Sequence, residues 1–188
     1  ILRRGKGDHV QFILCDFGVA MKYSSDDVKV NSTKGTHAFF APEMCSGVSD
    51  KNDEGKTGGS CDNSGFSPFI SDVWSLGVTM YAYLYGRLPF WDARGGQCLF
   101  DAILYGELDV PKYQVRIIDK SGGSNEERTT VEIKLSAGVR NLLQLMLAKN
   151  IRERPLLSTL ITNNRWLMKG EMIMNSKEDS DEEDVVSF

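Results

Sequence analysis

The sequence has no C-x-x-C pair and only two histidines, so a zinc site of usual spacing is excluded. Its four cysteines, Cys15, Cys45, Cys61 and Cys98, stand 30, 16 and 37 residues apart. That is not the dense framework of a disulfide-stapled secreted domain. One pair remains arithmetically possible, but the pattern suits reduced thiols and a cytoplasmic protein. No run of about 18 unbroken apolar residues occurs, so no membrane span is expected. An excess of positive charge is also missing. The net charge of −4 gives no reason to expect nucleic acid as a partner. The charge is uneven: residues 171–188 hold seven acids against one lysine, leaving the body near +2. The run 178–184 (EDSDEED) reads as a solvated, disordered tail.

What is present is an ordinary globular composition. Of the 188 residues, 41% are hydrophobic, 10% aromatic and 26% charged, enough for one domain with a sizeable core. Residues 10–15 (VQFILC) form a short strand-like run after a turn at 5–8, which predicts a small hairpin with residues 1–2. The stretch 22–34 is polar and aperiodic, and reads as a loop. Residues 46–67 hold five glycines and many small polar groups, which predicts a flexible insertion.

Residues 71–85 carry apolar side chains on every side of a helical wheel. This predicts a buried helix with Asp72 in its first turn, ended by Gly86. A short amphipathic helix is expected at 97–105 on Leu99, Phe100, Ile103 and Leu104. Tyr113, Val115 and Ile117 alternate with polar residues, as do Val131, Ile133 and Leu135, predicting a β-hairpin over 113–135. Ser136 then caps a helix whose stripe is Val139, Leu142, Leu143 and Met146. Pro155 opens a last short helix ending near Trp166.

Five short motifs succeed one another through these elements. They are Asp16-Phe17-Gly18 after the strand, Ala41-Pro42-Glu43 preceded by Gly35-Thr36, S-D-V-W-S-L-G at 71–77, G-R-L-P-F-W at 86–91, and N-I-R-E-R-P at 150–155. In this order and spacing they resemble the back half of the protein kinase catalytic domain, from residue 1 to about 166. The resemblance implies a mainly α fold, a protein-kinase-like C-terminal lobe, with the N-terminal hairpin and an inserted hairpin. The expected organisation is a kinase lobe over 1–168, interrupted at 46–67 and 112–134, and an acidic disordered tail at 169–188.

The resemblance also assigns roles. Asp16 corresponds to the carboxylate that holds Mg²⁺ against the phosphates of ATP. Cys15, Phe17 and Gly18 flank it: Cys15 at the floor of the nucleotide pocket, Phe17 packed under a helix, Gly18 at a sharp turn. Thr36 corresponds to the threonine of the substrate-binding loop. Its Gly-Thr context implies a serine or threonine acceptor, since tyrosine kinases usually carry a proline-bearing loop there. Glu43 and Arg154 correspond to a buried ion pair, and Asp72 to the acid that holds the catalytic loop. Ser24, Ser25, Ser32 and Thr33, between D-F-G and A-P-E, are candidate regulatory phosphosites. Ser180 in the acidic tail is another.

A glycine-rich loop, a phosphate-pairing lysine and H-R-D-x-x-x-x-N are not in this sequence. Residues 1–2 match the pair that normally stands directly after that asparagine. The resemblance therefore implies a further part upstream and no activity from residues 1–188 alone. The stretches 77–91 and 99–111 look most like the calcium/calmodulin-dependent protein kinase kinases, which phosphorylate the activation loops of other kinases. His37 departs from that pattern, where proline is usual. Residues 165–175 are weakly basic and amphipathic, but packing of the last helix explains them better than calmodulin binding does. Two alternatives to an active kinase stand: a pseudokinase serving as scaffold or allosteric partner, and a non-kinase interaction module built on the tail. An aspartate at the H-R-D position separates the first from an active enzyme.

Overall fold

The computed structural model describes residues 2–5, 11–25, 27–31, 34–45, 65–91, 97–119, 128–164 and 167. The predicted tip of the inserted hairpin, residues 46–64, Ser32, Thr33, Cys61, Ser180 and most of 165–188 lie outside them. The described residues are mainly helical. Strands β1 (Leu2–Arg4) and β2 (Gln11–Ile13) pair antiparallel, with Arg3 opposite Phe12. A 3₁₀ turn (His37–Phe39) and the one-turn helix α1 (Pro42–Cys45) come next. Beyond them are α2 (Pro68–Tyr85), α3 (Gln97–Tyr105), the hairpin β3 (Tyr113–Asp119) and β4 (Arg128–Lys134), α4 (Ala137–Met146) and α5 (Leu157–Asn163).

Helix α2 is the axis. It starts three residues earlier than its periodicity suggests, because Pro68 occupies the first helical position, where a missing N–H costs nothing. Asp72 therefore stands in the second turn, not the first. Gly86, at φ 67, ends the helix in the left-handed conformation, with its N–H bonded to Ala82 O. Trp74, Val78, Tyr81 and Leu84 are buried against Phe90, Phe100, Ile103, Val139, Leu143 and Leu147. Each such side chain contributes about 1.5–3 kcal/mol on burial. Val73 joins Leu142, Met146 and Leu160 in a second cluster. Gly77 lets α4 approach closely: a Cβ there would lie 2.9 Å from that of Met146.

One expectation needs correction, and one face left unassigned by the sequence becomes visible. The α2 helix is not enclosed all round: Asp72, Leu76, Thr79 and Tyr83 form an open stripe, with Tyr83 73% exposed. The helical period places these four on one side, where Asp72 and Leu76 border the start of α5 across a cleft and Tyr83 is more open than Leu76. In the inserted hairpin the apolar residues of β3 face outward. Tyr113, Val115 and Ile117 are exposed, while Gln114 is buried opposite Ile133. Alternation fixes two faces and does not say which one meets the core.

Helix α4 keeps closely to its sequence. Ser136 Oγ accepts from Val139 N at 3.3 Å, and Val139, Leu142, Leu143 and Met146 are buried. The phenols of α2 fix the chain leaving α3: Tyr81 donates to Asp109 O at 2.8 Å and Tyr85 to Pro111 O at 2.7 Å. Among the described residues, no helix is long and apolar enough to cross a membrane.

Candidate active site

β2 ends at Ile13, and the chain runs exposed through Leu14, Cys15 and Asp16. Asp16 has φ 66, the one positive value outside glycine among the described residues. An L side chain in that region costs on the order of 1–3 kcal/mol, and such residues cluster at functional sites. The strain is held by a local turn: Gly18 N lies 3.4 Å from Asp16 Oδ1 and Ala20 N bonds Phe17 O at 3.1 Å. The carboxylate is presented to solvent. Phe17, 68% exposed, and Cys15 are both open to solvent, and no described helix lies over Phe17.

Twenty residues on, Thr36 begins the 3₁₀ turn. Its carbonyl accepts from Phe39 N at 3.0 Å, while its side chain is exposed and makes no cap hydrogen bond. His37 beside it packs edge-on against Phe40 and Phe100 at ring-centroid distances of 5.1 and 5.3 Å, tying the turn to α3. Of the two candidate phosphosites in view, Ser24 is exposed, and Ser25 Oγ accepts from Asp27 N at 3.2 Å.

The far end of this segment is anchored inside the protein. Arg154 Nη2 donates to Glu43 Oε2, and its side chain is fully buried while that of Glu43 is 14% exposed. Arg154 also donates from Nε to Ala148 O at 2.9 Å and from Nη1 to Ile70 O at 3.1 Å, and lies 5.3 Å over the Trp74 ring. Ser71 Oγ stands 2.8 Å from Glu43 Oε1, and Ser75 donates to Phe39 O at 2.9 Å. Sequence reasoning misses these two serines. Their signal is two small hydroxyls four residues apart within an apolar helix, which marks a side where another backbone comes close. Asp72 joins none of these groups. It lines a cleft of about 270 Å³ with Phe69, Val73, Leu76, Leu156, Leu157 and Ser158. Its surroundings desolvate it enough to raise its carboxyl above the usual range, although its surface remains exposed.

Lys149 is a second overlooked group. Its ammonium donates to Ile103 O at 2.6 Å and Ala102 O at 3.3 Å, and sits 4.2 Å over the Phe90 ring. Burial lowers its pKa to about 8, opposed by nearby Cys45, whose thiol is itself pushed up to about 12, mainly by burial. The folded state therefore binds fewer protons than the unfolded chain between pH about 8 and the lysine's usual 10.5. The Lys149 contribution to stability should rise with pH through that window, and the cost of its buried charge should be fully present below it, while the raised Cys45 thiol acts in the opposite sense above pH 9. Urea denaturation of the full-length protein across this range, with Lys149→Met as reference, checks this. Wild type should gain on the variant as pH rises, and parallel curves would refute the assignment.

An exposed, strained D-F-G aspartate, an exposed threonine at the next turn and Glu43, held from outside by buried Arg154, lie along one segment. The family model for the protein kinase domain matches residues 1–167. The chain belongs to the protein kinase family. The kinase domain is 33% identical over 150 residues to serine/threonine-protein kinase TOS3 of Saccharomyces cerevisiae, covering 75% of this chain and 23% of that protein. It is 30% identical over 163 residues to SNF1-activating kinase 1 of the same yeast, covering 77% of this chain and 14% of that protein. It is 37% identical over 82 residues to a calcium/calmodulin-dependent protein kinase kinase of Caenorhabditis elegans, covering 44% and 13%. The chain thus spans a quarter or less of the length of these relatives. Protein kinases use ATP with Mg²⁺. Asp16 suits that ion as one hard oxygen ligand, and no cluster of three or more metal-ligating side chains forms among the described residues.

Proposed function

We propose that the chain is the substrate-binding half of an ATP-dependent serine/threonine kinase that phosphorylates other protein kinases. The observation that carries the catalytic part is Asp16: an exposed carboxylate held at positive φ, whose one hydrogen bond among the described residues is the local 3.4 Å approach of Gly18 N. The choice of substrate rests on relatives named as an SNF1-activating kinase and a calcium/calmodulin-dependent protein kinase kinase. In this reading the enzyme is cytoplasmic and takes its acceptor as a protein serine or threonine.

Mg²⁺, when bound, neutralises charge on the phosphates and aligns them. Asp16 supplies an oxygen ligand for it from a turn that holds the carboxylate outward. Thr36 offers a hydroxyl beside the acceptor, and His37 with Phe40 keeps the turn against α3. Glu43 and Arg154 hold the C-terminal end of the segment, so a docked peptide meets a fixed backbone. Positioning of this kind accounts for most of the catalytic effect in phosphoryl transfer.

The test is transfer from γ-labelled ATP by the full-length protein to a second kinase made catalytically inert. Labelling of that kinase's activation-loop serine or threonine is the expected result. Absence of transfer to it and to generic basic and acidic peptides would favour the scaffold reading instead. Residues 1–188 alone should transfer nothing, because the proton acceptor and the phosphate-pairing lysine are not among them. Activity of that polypeptide that Asp16→Asn abolishes would overturn the assignment of roles.

A further inference from the structure

The stretch 46–67, read from its composition as a flexible insertion, yields its last residues to the fold. Val30 N bonds Phe66 O at 2.9 Å, and Phe66 N bonds Val30 O at 3.0 Å, so the two residues form an isolated antiparallel pair. Gly65, just before, has φ +69, and a Cβ there would lie 2.6 Å from Asn31 Oδ1 and 2.9 Å from Val30 O. Only glycine allows this approach without strain. Three residues beyond Phe66, Phe69 in the first turn of α2 meets Tyr23 edge-on, with ring centroids 6.0 Å apart. Tyr23 and Val30 thus meet Phe69 and Phe66 in antiparallel order. Val30 lies six residues before Thr36 in the sequence.

We propose that Gly65 and Phe66 are positioning residues that clasp the activation segment against the start of α2 and set the course on which Thr36 meets a protein substrate. The inference rests on the kinase reading above. The clasp is made of backbone, so it acts whatever side chain stands at 66, provided the residue keeps its N–H and residue 65 stays without a Cβ. Among the described residues the pair has no neighbouring ladder to protect it. Loss of either bond frees residues 27–31 while the helical core, which does not use the pair, stays intact.

The test uses the full-length kinase with three changes. Phe66→Pro removes the donor to Val30 O, Gly65→Val forces the two backbones apart, and Phe66→Leu keeps both bonds. For the first two, KM for the protein substrate should rise about fivefold or more, with kcat and KM for ATP within about twofold of wild type. Tm should not move, and amide hydrogen exchange across residues 27–31 should accelerate. Phe66→Leu should behave as wild type in every respect. Unchanged KM in both disruptive variants, or equal exchange at 27–31 in wild type and variants, sinks the proposal. A joint fall in kcat, ATP affinity and Tm would also sink it, since that marks a merely structural role. If wild type transfers no phosphate, the kinase reading fails, and the exchange comparison alone then decides whether the clasp exists.

Discussion

Replacing Asp16 by asparagine in the full-length kinase should lower phosphoryl transfer about a thousandfold while leaving the melting temperature unmoved. The two halves of this result have separate causes. A carboxylate that ligates the metal offsets charge on the phosphates, an effect of several kcal/mol, and each ~1.36 kcal/mol is tenfold in rate. For stability the same carboxylate does almost nothing. It is exposed, and its hydrogen bond among the described residues is the long approach of Gly18 N at 3.4 Å. Asparagine can keep that contact and is among the residues that best tolerate positive φ, so the backbone at φ 66 gains rather than loses. Steady-state kinetics and a thermal melt on the same preparation check the prediction. A loss of activity accompanied by a fall in Tm would mean that Asp16 belongs to the scaffold. Retained activity would remove it from the site altogether.

The opposite signature is expected of Arg154. Arg154→Leu should lower Tm by about 6–20 °C, because breaking a buried pair costs about 3–5 kcal/mol and each kcal/mol moves a domain of this size by about 2–4 °C. The cost has several parts. Glu43 keeps its charge in a nearly closed site beside Ser71, and the carbonyls of Ala148 and Ile70 lose their Arg154 donors. The Trp74 face loses the guanidinium it carries. Adding Glu43→Gln to Arg154→Leu should recover part of the loss, since the stranded charge is then gone. Calorimetry on the two single variants and the double variant gives the coupling directly. Additive effects would show that the pair is not energetically coupled, whatever its geometry.

Much of the helical architecture is legible in the sequence because it is local. The stripe of α4 and its Ser136 cap can be read from ten consecutive residues, and α3 from nine. Both hairpins can be placed from alternation and turn residues. The 3₁₀ turn and α1 are not legible, since three or four residues hold no period. Nor is the outward face of Tyr113, Val115 and Ile117, because alternation is symmetric until a neighbour is known. Within the candidate site, D-F-G and A-P-E can be found as motifs, yet the left-handed backbone of Asp16 leaves no mark in composition. The Val30–Phe66 pair is made by backbone atoms, so its one trace in the sequence is Gly65, hidden among other glycines. Lys149 has the look of a surface charge, and only its packing on Phe90 and the end of α3 reveals otherwise.

The separation of contacting residues along the chain also orders events in time. Partners in the β3–β4 hairpin are at most 21 residues apart, Tyr113 with Lys134, whereas Glu43 and Arg154 stand 111 apart. Closing the longer loop costs about 1.5 kcal/mol more in chain entropy. A hairpin forms in about 1–10 μs, and the ion pair must wait until α2 and the chain after α4 have met. An interaction made after the transition state leaves the folding rate alone and governs the rate of escape from the native state. A weakened Glu43–Arg154 pair is therefore expected to shorten the lifetime of the folded kinase domain without slowing its assembly, and a φ-value near one for Arg154→Leu would refute this.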